Sequence, residues 1–447
     1  MNTQETLLWI NEQFSHTNEL VQKTLEYEQK NIAYMYIKSL IDNEMLQKTI
    51  IKPFFEMANM EQFKLYVQAL PQFEEVPAKE QVLLEIINGS ILLEIGNELC
   101  LIDLKLSKNN EVSSASVEMT IHGSQIALSD NLLTNLNLIR SYYRQPTLNI
   151  EYMSLGEVNQ QKVAIVYDTE KVNTQALKLI KEKLQRVDKQ VISAANQFNN
   201  YLNDKRFSLF PQMIMTERPD RIIYNIAGGK VVILQDGSSQ CLAAPVVFFD
   251  FMNTMEDDYH TVIISTFLRM LRYLGFFISL LLPSIYVGVT SYAPEVFRTE
   301  LALTVAGSRM GVPFSSFVEV LFMLFFMELL LEASIRLPKA VSATATTVGG
   351  LILGTAVTEA SLASNIMVII VSAVAISTFV IPVNEMAFAI RIVRLLLIVI
   401  TSIFGLAGLT LGFLVFILYL TSLDSYGEPY LRVYNYKKNK ERSEGHL

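Results

Sequence analysis

Cysteine, histidine and charge are all scarce in this 447-residue chain, and each shortage closes off a class of protein. Two cysteines, Cys100 and Cys241, cannot build a disulfide framework and point to reducing surroundings for the region that holds them. The four histidines (His16, His122, His260 and His446) are scattered, with no cysteine or carboxylate at metal-ligand spacing, so no metal site is expected. Gly228-Gly229-Lys230 lacks the upstream glycine and following Ser/Thr of a Walker loop, and neither a dinucleotide fingerprint nor a Gly-x-Ser-x-Gly elbow occurs. Neither a cofactor nor an enzymatic activity is expected. Charged residues make up only 18% of the chain, against a usual value of about 25%. The front is acidic without a basic stripe, which argues against nucleic acid as a ligand. Met1–Leu20 alternates polar and apolar residues and contains Glu5, Glu12 and Glu19, so no cleavable signal peptide is expected there.

The charge deficit is local. Residues 261–447 hold 13 Lys/Arg and 11 Asp/Glu, whereas residues 1–260 hold 23 and 33. An acidic, soluble-looking front is thus followed by an apolar back, and the whole reads as an integral membrane protein with a large cytosolic N-terminal region. A spanning helix needs about 20 mainly apolar residues. Tyr273–Val289, Val341–Thr358, Leu362–Val383 and Leu395–Leu420 qualify, and Pro313–Ile335 is apolar but carries three glutamates. Five spans put Arg269, Arg272, Arg336, Lys339, Arg391 and Arg394 inside but send the basic tail out. If Pro313–Ile335 is re-entrant or interfacial, the tail returns to the cytosol while Arg391 and Arg394 move out.

A carboxylate at membrane depth must face protein, water or a partner charge. On a helix Glu328, Glu332 and Arg336 share one row, and Glu319 lies on the opposite face. The row reads either as a ladder along an aqueous vestibule or subunit contact, or as the wet face of an interfacial helix. In Val341–Ala360, residues Thr344, Thr347, Val348, Leu351, Thr355 and Thr358 form one face. Hydroxyls alternating with small apolar residues suit a pore wall, because they solvate an ion without trapping it. Gly350 and Gly354, a small-xxx-small pair, equally suit tight helix packing, as do Gly408 and Gly412 in the last span.

In the front, Thr3–Gln29 has helical spacing (Leu7, Ile10, Phe14, Leu25), with a shorter helical pattern around Glu44–Met57. Ser90–Ile95 and Glu98–Leu104 form a hairpin signal across Gly96-Asn97. Asp130 or Ser129 is positioned to cap a helix ending near Arg144. Strand-like Leu148–Tyr152 and Val163–Tyr167 precede a helix from Asn173 to about Tyr201, and a β-rich module, Arg221–Ala243, leads to an acidic connector. No short-period repeat is visible. The expected fold class is α+β with a membrane part: cytosolic N-terminal α/β subdomains, then a polytopic helical transmembrane domain. The divisions are a helical and hairpin subdomain (1–115), an α/β subdomain (116–210), a β-rich module with connector (211–260), the transmembrane domain (261–422) and a basic tail (423–447).

Residues 216–430 resemble the A-subunit family of spore germination receptors of endospore-forming bacteria. The matching stretches include Glu217-Arg-Pro-Asp220, Leu268-Arg-Met-Leu-Arg-Tyr273, Leu282-Pro-Ser-Ile-Tyr286, Arg309-Met-Gly-Val-Pro-Phe314, Glu319, Glu328, Glu332-Ala333, Arg336-Leu-Pro338, Gly349–Ala360, Phe379-Val-Ile-Pro382, Arg391 and Arg394. A fainter match runs through Asn135–Arg140 and Val163–Tyr167. The chain departs from the family at Thr120–Gln125, which keeps Gly123 but lacks the arginines and acid of the usual Arg-Gly-Pro-Arg-Glu segment. The resemblance implies a subunit of a nutrient receptor in the inner spore membrane, with its N-terminal domain on the spore-core side. It implies a homo-oligomeric, pentameric channel that releases monovalent cations, acting with a transporter-like B subunit and a lipoprotein C subunit. A non-conducting scaffold and a secondary transporter are the alternatives; the latter would show an internal repeat of spans, and none is found.

Overall fold

The computed structural model describes residues 3–14, 17, 19–76, 79–96, 98–105, 114–115, 118, 120, 122–156, 159–186, 202 and 208–432. It falls into two compact units, the first comprising Met1–Arg206, Gln212–Val246 and Ser425–Glu428 and the second most of the remainder.

The first unit contains two five-stranded sheets built in the same order. Strands β1 (Leu20–Tyr27), β2 (Lys30–Ile37), β3 (Phe73–Glu75), β4 (Ser90–Ile95) and β5 (Glu98–Asp103) line up as β1-β2-β4-β5-β3. Strands β6 (Leu148–Leu155), β7 (Gln161–Asp168), β8 (Ile214–Thr216), β9 (Val231–Gln235) and β10 (Cys241–Ala244) line up as β6-β7-β9-β10-β8. Every neighbouring pair is antiparallel. The helices repeat in part, the first repeat having in addition helical turns over residues 43–56. Helices α1 (Thr3–Gln13), α2 (Met60–Gln68) and α3 (Lys79–Asn88) precede β1, β3 and β4; α4 (Leu132–Tyr142), α5 (Thr174–Gln185) and α6 (Pro219–Ala227) precede β6, β8 and β9.

The first sheet is covered on both sides. Ile32, Tyr34, Ile91, Leu93 and Ile102 pack with Ile50, Phe54, Phe63 and Val67, while Met35, Ile37, Leu92 and Leu101 pack with Ile10 and Phe14 of the N-terminal turns and Val82 and Ile86 of α3. Alternate residues of each strand therefore enter different cores. The second sheet packs Val163, Ile165, Tyr167, Ile233 and Leu242 against Ala176, Ile180 and Leu184 of α5. Each such aliphatic side chain contributes about 1.5–3 kcal/mol by leaving water. Cys100 and Cys241 are both buried and unpaired, and burial pushes the Cys100 thiol up to about 12. Between the repeats, Arg140 of α4 donates to Glu19 at 2.6 Å, with both side chains withdrawn from water. Tyr426 completes the second core, donating to the Leu202 carbonyl at 3.1 Å; Ser425 donates to the Gln212 carbonyl at 2.9 Å.

Four expectations need correction. The helix over Thr3–Gln29 stops at Gln13, because Leu20–Tyr27 is taken up as a strand against β2. Helix α4 is capped by Asn131, which accepts from Leu133 and Thr134. The start of the Arg221–Ala243 module is helix α6, with Pro219 in its first turn, and β8, β9 and β10 belong to the sheet of β6 and β7. A boundary at 210/211 therefore cuts a single sheet, and residues 1–115 hold a whole sheet rather than a hairpin. The helix from Asn173 ends at Gln185; residues 187–201, Asn97 and tail residues 433–447 lie outside the described residues.

The second unit is a bundle: α7 (Val262–Tyr292), α8 (Thr299–Arg309), α9 (Ser316–Arg336), α10 (Lys339–Glu359), α11 (Asn365–Phe379) and α12 (Asn384–Thr421). Among the described residues three helices are long and apolar enough to cross a membrane, Val262–Tyr292, Val341–Glu359 and Asn384–Thr421. The span expected over Leu362–Val383 is the 15-residue α11, about 22 Å long and short of a bilayer core of about 30 Å. The last span begins at Asn384 rather than Leu395 and is not straight. At Gly405 the backbone turns to φ 63°, ψ −151°. Beyond it, a Cβ on Gly412 would meet Leu397 and one on Gly408 would meet Ile400. Along a straight helix those partners would lie about 22 and 12 Å away. The chain therefore doubles back at Gly405, with Gly408 and Gly412 letting the return arm lie close against the outgoing one.

This hairpin settles the path. Gly405 sits beside Tyr292 at the far end of α7, and Phe416 on the return arm packs with Phe210, which also meets Tyr430. Tyr430 in turn meets Phe248, which packs on Phe276 at the middle of α7, well back from Tyr292 on the side of its start. The chain thus enters and leaves the bundle at one end, called proximal below. Replacing Gly405 by Ala should lower the thermal midpoint of the purified chain in detergent, by on the order of 1–3 kcal/mol of stability. Gly307→Ala, at an open helical position, should leave the midpoint unchanged or raised.

Candidate functional site

Three charge clusters are spaced along the bundle from the proximal to the distal end. At the proximal end Arg272 of α7 holds the preceding connector. Its guanidinium donates to both Asp257 oxygens at 2.6 and 2.8 Å, to Thr254 Oγ1 at 2.9 Å and to the Met252 carbonyl at 3.2 Å. Burial works to raise the Asp257 pKa, but the hydrogen bonds from Arg272 and the Thr254 amide, with the nearby guanidinium charges, outweigh it and leave it below the ordinary carboxylate value.

Midway, Glu328 of α9 receives Arg394 at 2.8 Å and Arg391 at 3.0 Å, both from the outgoing arm of α12. Arg394 is 1% exposed and its guanidinium lies 3.5 Å from Thr378 Oγ1, which meets Ser279 of α7 at 3.2 Å. Four helices are joined through one carboxylate. The expected Glu328–Glu332–Arg336 row is therefore broken: Arg336 binds Glu332 at 2.6 Å on an exposed surface, while Glu328 turns inward to the arginines of α12. Glu328 is the residue of the three that sits where α12 supplies two guanidiniums.

Toward the distal end Glu319 is fully buried. Its Oε1 accepts from both the backbone amide and the hydroxyl of Ser364, each at 2.7 Å, and Oε2 lies 3.3 Å from Arg309 Nε. Ser364 is the N-cap of α11, so Glu319 joins α8, α9 and α11 at one point. Tyr286 of α7 reaches the same hydroxyl at 3.5 Å.

Helix α10 differs from its neighbours. Only 6% of its apolar window is buried, against 56% for α7 and 44% for α12. Thr344, Thr347, Val348, Leu351 and Thr355 are exposed and Thr358 is half-buried. The hydroxyls of Thr347, Thr355 and Thr358 donate to carbonyls of their own helix, at 2.8, 3.0 and 3.1 Å, leaving oxygen lone pairs outward. Gly350 comes no nearer than ordinary contact with Leu330, and Gly354 faces open space, so this pair mediates no close helix approach within the chain. The helix is exposed nearly all round, so Ala343, Ala345, Ile352 and Ala356 are as open as the threonine face. The partners of the carboxylates (Arg309, Ser364, Arg391 and Arg394) were not identified from sequence, although Glu319 on the wrong face and two arginines at matching depth are the signals that a pairing was needed.

The Glu217-Arg-Pro-Asp220 stretch proves to be a brace. Arg218 binds both oxygens of Asp220 and reaches Thr120 Oγ1 at 2.5 Å; Glu217 accepts from the Glu118 amide at 3.0 Å, and Arg221 lies 3.3 Å from the Glu118 carboxylate. It thus holds the chain at residues 118–120, beside the stretch that lacks the basic-acidic segment.

Comparison with known proteins places these features in context. The sequence profile of the GerA family, described as the Bacillus/Clostridium GerA spore germination protein, matches residues 9–443. Spore germination protein KA of Bacillus subtilis (strain 168) is 31% identical over 414 residues, 91% of this chain and 76% of that protein. Spore germination protein GerLA of Bacillus cereus is 35% identical over 340 residues, covering 76% and 69% respectively. A crystal structure of the N-terminal domain of the A subunit of the Bacillus megaterium spore germinant receptor GerK3 aligns with a TM-score of 0.41 at 20% identity, covering 55% of this chain and 95% of that one.

Two outcomes follow from the clusters. Glu319→Ala strands Arg309 and the Ser364 cap, and should cost about 3–5 kcal/mol of bundle stability, read as faster proteolysis near α8 and a lower thermal midpoint. The Asp257 pair contributes its full stability above the ordinary carboxylate pKa of about 3.9 and loses it as pH falls through the still lower folded value. Asp257→Asn should therefore lower the midpoint at pH 7, and the gap between variant and native chain should close below about pH 3.

Proposed function

The chain belongs to the Bacillus/Clostridium GerA family of spore germination proteins, and on that premise we propose that it is the A-type subunit of a nutrient germinant receptor in the inner spore membrane. Copies assemble as a pentameric ring, acting with a transporter-like B subunit and a lipoprotein C subunit. When nutrient is sensed, the ring passes monovalent cations and starts germination. The observation that carries this reading is α10, a threonine-rich helix long enough to span a membrane yet almost unburied within its own chain. Polar residues at membrane depth are favoured against protein or water, and a ring of α10 helices supplies both, with Thr344, Thr347, Val348, Leu351, Thr355 and Thr358 toward the axis.

The proximal end carries Arg269, Arg272 and Arg336, so the positive-inside rule favours the spore core for it. The chain enters and leaves the bundle there, which supports a spore-core location for both the N-terminal unit and the tail. One observation favours a second reading, a non-conducting scaffold: the threonine hydroxyl protons are already used within α10, so that face can also rest against a neighbouring subunit.

Cation flux through liposomes containing the purified chain separates the two. Val348→Ala and Leu351→Ala widen a pore and should change the leak by about tenfold, as removing side chains at a hydrophobic constriction does. Unchanged flux across the whole face would reject the pore and leave the scaffold.

A further inference from the structure

The midway cluster is unbalanced. Arg391 and Arg394 share one carboxylate, Glu328, and no second acid lies within ion-pair distance of either among the described residues. Each arginine also keeps its Nε–H buried without a hydrogen-bond partner. The set therefore holds two positive charges, one negative charge and two unused donors. A surplus charge away from water is costly unless a counter-charge joins it.

Position indicates where that counter-charge comes from. Arg391 lies seven residues into α12 and Glu328 eight residues from the end of α9, so the cluster sits about 10–12 Å in from the proximal helix ends. Arg391 is 17% exposed and rests on the ring of Phe388 at 5.0 Å. Around it Phe388, Ile392, Leu395 and Leu329 are exposed apolar side chains. A ligand here meets guanidinium at one point and hydrocarbon on every side. A second copy of the chain is a poorer donor. Rings about an axis normal to the membrane bring equal depths together, and the nearest acids on these helices lie closer to the proximal end, Glu332 by about 6 Å and tied to Arg336, Glu385 by about 9 Å and half-buried.

We propose that Arg391, with Arg394 and Glu328 buried behind it, forms a binding site for the phosphate of an anionic phospholipid in the proximal leaflet, whose acyl chains run along α9 and α12. Guanidinium binds phosphate through paired charge-assisted hydrogen bonds, and basic pockets between membrane helices are the usual form of such sites. Glu328 then sets the affinity: it holds the arginines in place and lowers their pull on the lipid.

The test uses the full chain in nanodiscs of phosphatidylcholine with a minority of phosphatidylglycerol, reading the retained lipid by native mass spectrometry. The native chain should retain phosphatidylglycerol selectively. Arg391→Gln should reduce that selectivity about tenfold, Arg391→Lys should restore part of it, and Glu328→Gln should increase it. The opposite signs of the Arg391 and Glu328 variants distinguish a binding site from a structural lesion, which would lower both. Equal retention by native chain and Arg391→Gln overturns the proposal. So does full displacement of the lipid by millimolar inorganic phosphate, which would assign the site to a free anion. Loss of an oligomer in Arg391→Gln with lipid retention unchanged would assign it to a partner chain and overturn it as well.

Discussion

A charge in hydrocarbon has to be answered by another charge, and that constraint shapes the bundle more than any apolar contact. Glu328 gathers Arg391 and Arg394, and through Thr378 and Ser279 it ties α9, α12, α11 and α7. Glu319 does the same for α8, α9 and α11. Lipid tails are as apolar as leucine, so leucine-rich faces have little reason to choose one neighbour over another. The polar groups make that choice. Among the described residues helix α10 has no such tie apart from Ser342 bonding to the Ser334 carbonyl, and it is left almost uncovered.

The same logic governs the first unit, in a milder form. Arg140 and Glu19 close on each other between two sheets of identical strand order. Arg218 and Arg221 draw the poorly patterned stretch at residues 118–120 onto α6 and β8. In each case a short sequence match to the family, read at first as a label, is a pair of charges with a mechanical task.

What the sequence made legible was what local spacing controls. The alternation of Ser90–Ile95 and Glu98–Leu104 and the start of α5 at Asn173 needed only neighbours. So did the exposed threonine row of α10, since its hydroxyls bond within one turn. Leu20–Tyr27 was misread because its apolar spacing suits a helix nearly as well as a strand, and only pairing with Lys30–Ile37 decides between them. Helix α6 announced itself through Pro219, a residue at ease in a first helical turn, but the turns around it suggested strands. The repeated sheet order was invisible because it resides in pairings, not in recurring residues. The partners of Glu319 and Glu328 lie 45 and more than 60 residues away. No periodicity reports contacts at that separation.

Tyr426 gives the architecture a chronology. Its ring fills the core of the second sheet, and Ser425 and Glu428 bond to Gln212 and Asn173 beside it. All five strands of that sheet precede the first membrane helix in sequence, whereas Tyr426 follows the last one. The core of the second sheet is therefore filled in part by a residue made after every helix of the bundle.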